Sequence, residues 1–135
     1  MQPIVIDTNV VLDAFMFADV RTARLRACLV ERSVRWLATA PMREELSRVL
    51  AYPHIVRRLL QYELKAEGVL EAFDRHAEIA QDAAVAPALC RDPDDQKFID
   101  LAVAHAAILV SKDREVLRMK SKLASLGCPS VAAIY

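Results

Sequence analysis

Glycine is scarce in this chain, with only Gly68 and Gly127 among 135 residues, and aromatic residues make up just 6%. That combination points to a helix-rich domain. Cysteine is sparse as well. Cys28, Cys90 and Cys128 are too few and too scattered for a disulfide framework or a zinc site. Each reads instead as a small buried hydrophobe in a reducing compartment. No apolar stretch approaches the roughly 20 residues that a membrane span needs, and the chain opens directly on a short apolar run with no signal-peptide pattern. A soluble, cytoplasmic protein without a membrane partner is therefore expected. Net charge is absent too: 18 Lys and Arg balance 18 Asp and Glu. Overall charge thus identifies no polyanionic partner, and any such partner must be recognised by local charge. There is no Pro/Ser-rich linker, internal repeat or low-complexity tract, so residues 1–135 are expected to form a single domain.

What the chain does contain is 55% hydrophobic and 27% charged residues, the composition of a globular domain. Short, branched, uninterrupted apolar runs at 3–6 and 107–110 read as buried strands of a parallel sheet. A further strand is expected at 35–38, a short one near 83–86, and a last one at 130–134. Between them, helical periodicity covers about 9–17, 20–32, 41–51, 54–60, 62–80, 93–106 and 114–119. Pro41 suits the first position of its helix, and Asp92-Pro93 reads as an N-cap followed by proline at the first helical position. The resulting fold class is α/β, with a small parallel sheet flanked by helices in α/β/α layers.

Topology gives that fold a chemical consequence. When helices make the crossovers, all strands point the same way and their carboxyl ends share one edge. Asp7 follows the first strand directly, and Asp113 comes shortly after the strand ending at Val110, so the two are expected to be neighbours. Glu45 lies in the opening turns of a helix that follows strand 35–38. Asp95 lies in the first turn of the helix feeding Ile108–Val110, with adjacent Asp94 as the alternative in that register. Taken singly, each acid has an ordinary role as a helix cap or a dipole partner. Together they converge on the edge where open α/β sheets bind ligands. Carboxylates crowded there resist ionising unless a cation sits among them, and oxygen-only ligands suit Mg²⁺ or Mn²⁺.

At this point the motifs resemble those of PIN-domain nucleases. Ile6-Asp7-Thr8-Asn9-Val10 is similar to that family's opening, and Glu45-Leu46-Ser47-Arg48-Val49-Leu50 to its second acidic motif. Asp92-Pro93-Asp94-Asp95-Gln96-Lys97-Phe98 is similar to the third motif of one bacterial subgroup, and Val110-Ser111-Lys112-Asp113 to the fourth. The resemblance implies a PIN-like fold and catalytic, metal-holding acids at Asp7, Glu45, Asp95 and Asp113, supported by Thr8, Asn9 and Ser111. It further implies an Mg²⁺- or Mn²⁺-dependent endoribonuclease acting on single-stranded RNA. In VapC-like members such a nuclease is the toxin of a bacterial toxin–antitoxin pair, with a small antitoxin protein as partner and a homodimer as its assembled form. Two positions depart from the subgroup: Lys112 stands where a small residue is common, and Ala106 where glycine often ends the helix.

Phosphate must still be drawn past the acids. Arg and Lys dominate 112–122 and 21–35, and either stretch would serve as a basic rim or as a solvated helix face. His54, His76 and His105 are expected to be surface or core residues. An aspartyl phosphotransferase also needs Asp at a strand end, but its second acid two residues later is here Asn9. A PIN-fold binding module for RNA or antitoxin, without useful turnover, is the remaining alternative.

Overall fold

The computed structural model describes residues 1–17 and 19–132. Its strands are β1 (Pro3–Ile6), β2 (Arg35–Ala38), β3 (Glu78–Ile79), β4 (Ile108–Val110) and β5 (Ser130–Val131). The helices are α1 (Thr8–Phe15), α2 (Ala23–Glu31), α3 (Ala40–Leu50), α4 (Pro53–Gln61), α5 (Ala66–His76), α6 (Gln96–His105), α7 (Arg114–Leu117) and α8 (Lys120–Ser125). Tight 3-10 turns at Val20–Thr22 and Pro93–Asp95 lead into α2 and α6. None of the described helices is long and apolar enough to cross a membrane.

All five strands are parallel and lie in the order β3-β2-β1-β4-β5. The expected α/β class, a small parallel sheet flanked by helices, is what the chain adopts. The two central strands are sealed on both faces: Ile4, Val5, Leu109 and Val110 have no exposed surface. That is why they read as unbroken apolar runs. On one flank Trp36 stacks with Phe15 at 5.9 Å and meets Phe73 edge-on at 5.2 Å. Ile99, Leu101 and Ala102 of α6 are likewise fully covered.

Because β1 and β4 are neighbours while the chain runs outward from β1 through β2 to β3, the direction of winding reverses between β1 and β4. The carboxyl ends of the strands at such a reversal border a crevice, the usual ligand position in open α/β sheets. Register fixes its walls. Ile6 lies opposite Val110, so Asp7 and Ser111 emerge side by side.

Several expected boundaries are corrected. No strand forms at 83–86; the third strand is Glu78–Ile79, an exposed edge pair. Side chains of α6 occupy the backbone groups that a ladder would use at 83–90. Ala86 N–H donates to the Asp100 carboxylate, Cys90 N–H donates to the Gln96 amide oxygen, and the Gln96 amide donates to Ala88 C=O. The helix expected over 62–80 is only Ala66–His76. Glu63, at φ 56°, turns the chain after α4, and β3 claims the other end. The stretch 20–32 is split into a 3-10 turn and α2. Helix α8 was not expected; its stop is marked by Gly127 at φ 79°. Of the strand expected at 130–134, Ser130 and Val131 pair with β4, while residues 133 and 134 lie outside the described residues.

Ala106 closes α6 in the left-handed region at φ 48°, where a Cβ is strained by about 1–2 kcal/mol. Ala106→Gly removes that strain while giving the unfolded chain more freedom, for a net gain of about 0.5–1 kcal/mol. Urea unfolding should place its midpoint above that of the parent protein. A lower midpoint contradicts the strained-cap reading.

Candidate metal centre

Asp7 ends β1 and caps α1, its Oδ1 accepting from Val10 N–H at 3.0 Å. Its backbone N–H continues the sheet by donating to Val110 C=O at 3.1 Å. Oδ2 accepts from the Ser111 hydroxyl, and Ser111 Oγ in turn accepts from Asp113 N–H at 3.1 Å. Thus β1 and the loop after β4 are tied together through one serine, itself 1% exposed. Asp113 caps α7, accepting from Glu115 N–H at 2.8 Å. Ion pairing between Lys112 and Asp13 of α1 at 2.5 Å holds the same loop from its other side.

The third acidic element is the 3-10 turn. Asp92 opens it, accepting from Asp94 N–H at 3.0 Å, and Pro93 occupies the first position of the turn. With three residues per turn, side chains three apart eclipse, so Asp92 and Asp95 face the same way. Carboxylate oxygens of Asp92, Asp95 and Asp113 all lie within 4.8 Å of one another. These three acids, with Asp7, Thr8, Asn9, Glu45, Val49 and Phe98, line a cavity of about 190 Å³ at the crevice.

Four of the expected acids, Asp7, Glu45, Asp95 and Asp113, therefore border one cavity. Asp94 does not; it is exposed and is not among the residues that line the cavity. Thr8 donates to Glu45 Oε2 and Ser111 to Asp7, whereas Asn9 is exposed and lines the cavity without a side-chain hydrogen bond among the described residues. Asp92 was missed as a member of the cluster, having been read from sequence only as a cap. The signal was present in Asp-Pro-Asp-Asp, since proline at the first turn position favours a tight start and a three-residue repeat then stacks the first and last aspartates. Of the basic stretches, several members are committed elsewhere: Arg35 to Glu78 and Arg118 to Glu115. Cys28, Cys90 and Cys128 are free thiols; Cys128 is buried as expected, whereas Cys28 and Cys90 are only half-buried.

The electrostatics are those of an under-neutralised site. Desolvation by burial holds the Asp7 carboxyl above the usual range, only partly countered by the Ser111 and Val10 hydrogen bonds. Asp95 is pushed up to about 7, first by burial and then by the charges of Asp113, Asp92 and Asp7. Asp95 Oδ2 is buried and has no hydrogen-bond partner among the described residues. A buried, unpartnered carboxylate oxygen among like charges is costly, and a divalent cation with oxygen preference removes both costs. The donor set therefore fits such an ion.

A parallel α/β domain with acids gathered at its winding reversal is an architecture suited to holding a divalent cation. Residues 3–115 match the PIN domain family model, and the chain belongs to that family, whose members are generally metal-dependent nucleases. No curated protein gives a significant match.

In the absence of divalent ions, folded Asp95 holds its proton up to about pH 7, whereas the unfolded residue ionises near 3.8. The native state then binds more protons across that window, so its stability falls as pH rises through it. In EDTA, the parent protein should lose more Tm than Asp95→Asn between about pH 5 and about pH 8. Excess Mn²⁺ should raise the parent's Tm most at the alkaline end and raise that of Asp95→Asn less. Identical pH profiles for the two proteins contradict the assigned burial and crowding.

Proposed function

We propose that this protein is a divalent-metal-dependent endoribonuclease that hydrolyses phosphodiester bonds in single-stranded RNA, with Mg²⁺ or Mn²⁺ as its cofactor. The observation that carries the reading is the unpartnered Asp95 oxygen within a three-aspartate cluster, beside Asp7 at the winding reversal. Asp95, Asp113, Asp92 and Asp7 would hold the ion, with Glu45 in the wall of the same cavity. A divalent ion held by these acids would supply a lowered pKa for an attacking water and neutralise charge on the phosphate and the leaving oxygen.

The chain's own residues supply orientation. Ser111 fixes one Asp7 oxygen and the start of α1 fixes the other, so this carboxylate loses little further freedom on binding an ion. Capping does the same for Asp113 and Asp92. Each anchored acid leaves lone pairs for the cavity, since a carboxylate accepts at about four positions. No serine or histidine nucleophile is required.

Family resemblance extends the reading to the toxin of a bacterial toxin–antitoxin pair, neutralised by a small antitoxin protein and assembled as a homodimer in the cytoplasm. Half-exposed Val56 and Leu64 and the exposed Leu60, around a cavity between α3, α4 and α5, offer an apolar surface for such contacts. On this reading, expression of the chain alone arrests growth, and co-expression of a small protein encoded beside it restores growth.

Cleavage of single-stranded RNA in Mn²⁺ tests the chemistry. Asp7→Asn, Asp95→Asn and Asp113→Asn keep side-chain shape while removing charge, and each should lower kcat/KM by about 100-fold or more. Equal turnover by the parent and Asp7→Asn rejects the assigned centre, and RNA binding without turnover by the parent favours a binding module instead.

A further inference from the structure

Helix α3 carries one of its flanks past the acid cavity. Glu45 and Val49 both line that cavity, and Tyr52 continues the same stripe, since residues spaced i, i+4 and i+7 share one side of a helix. Ala51, between them, keeps right-handed helical backbone. At 1.5 Å per residue, Tyr52 stands about 10 Å beyond Glu45 along the axis. Tyr52 is 48% exposed, although its backbone is held on both sides. Its N–H donates to Val49 C=O at 3.0 Å, and its C=O accepts from Ile55 N–H and Val56 N–H, each at 2.9 Å. Tyr52 thus joins the end of α3 to α4, with Pro53 as the first helical residue after it.

The ring has aromatic company on one side only. Among the described residues its ring partner is His54, with centres 6.1 Å apart and planes tilted by 34°, and His54 is itself exposed. Arg48 precedes Tyr52 by four residues, so the two side chains start as neighbours on the helix surface. Arg43 is committed to Asp74, whereas Arg48 is exposed and pairs with no acid among the described residues. The apolar cavity between α3, α4 and α5 takes Ser47, Leu50 and Ala51 from α3 but not Tyr52. The surface offered there to a protein partner is therefore a different one.

An open π face on a fixed backbone, with an unpaired guanidinium beside it, matches the two halves of a nucleotide. A base stacks on the ring and a phosphate meets the guanidinium. Tyrosine has only two side-chain torsions, so little freedom is lost when a base settles on it. The acid cavity offers no such platform, because Phe98, the aromatic residue in its lining, is 3% exposed. Resting on the nuclease reading, we propose that Tyr52 stacks on the base of a nucleotide flanking the cleaved bond, while Arg48 holds a phosphate of that nucleotide. Every base has a π face, and only an unpaired base can be splayed onto the ring. The contact therefore selects single strands without selecting a sequence.

Failure of the parent protein to cleave single-stranded RNA in Mn²⁺ sinks the nuclease reading and this proposal with it. With cleavage established, affinity for an end-labelled RNA is measured by fluorescence anisotropy in an Asp113→Asn background, which suppresses turnover. Adding Tyr52→Ala should weaken binding about tenfold and leave the log–log salt slope unchanged, while Tyr52→Phe keeps the affinity of the background protein. Adding Arg48→Gln should reduce the magnitude of that slope by about 0.7. RNAs with one abasic nucleotide, placed at successive positions around the mapped cleavage site, identify the stacked base. At one position the abasic change should cost about tenfold when Tyr52 is present and almost nothing in Tyr52→Ala. If Tyr52→Ala does not fold, Tyr52→Leu keeps apolar bulk without a π face and carries the same comparison. Unchanged affinity in Tyr52→Ala, an unchanged salt slope in Arg48→Gln, or abasic penalties that are the same with and without the Tyr52 ring overturn the proposal.

Discussion

The pairing of β1 with β4 is the contact on which the rest of this structure depends. Ile6 opposite Val110 sets Asp7 beside Ser111, and one hydroxyl then links the Asp7 carboxylate to the backbone of Asp113. A slip of one residue would turn every side chain of β1 to the opposite face of the sheet. Complete burial of Ile4, Val5, Leu109 and Val110 makes such a slip prohibitively costly. Apolar packing in the middle of the molecule thereby fixes the separation of two charged groups at its edge.

Crowding acids at that edge works against folding, and the chain answers with local devices. Asp7, Asp92 and Asp113 each accept from backbone N–H groups at the start of a helix or 3-10 turn, so the positive end of a peptide array faces each carboxylate. Lys97 and Lys112 pair with Glu45 and Asp13 at the borders. Asp95 receives none of this help: its oxygen is unpartnered and its pKa lies near neutrality. Charge left unrelieved at Asp95, and only partly relieved at Asp7, marks where a cation contributes most.

The family to which the chain belongs supplies the general chemistry, and particular residues decide how this member carries it out. A serine bridging two acids, a 3-10 turn that stacks two aspartates, and an ion pair joining Glu45 to Lys97 are all features of single side chains. Ala106, by contrast, illustrates tolerated strain: a left-handed cap without glycine persists because α6 is anchored along its length by Phe98, Ile99, Leu101 and Ala102.

Periodicity and topology made much of this protein readable in advance. The central strands announced themselves because strands buried on both faces must be apolar at every position. Asp7, Glu45, Asp95 and Asp113 could be drawn to one edge because parallel strands joined by helices share their ends. Weaker signals misled where non-local contacts decide structure. At 83–90, Asp100 and Gln96 satisfy the backbone in place of a neighbouring strand, and β3 forms earlier because Leu37 and Ala38 offer it a partner. Strand order, the membership of Asp92 in the cluster, the absence of Asp94 from the cavity lining and the engagement of Glu45 by Lys97 were decided only by tertiary structure. A sequence specifies which segments are apolar and where charges interrupt them, but distances between charges far apart in the chain are fixed only once the sheet chooses its neighbours.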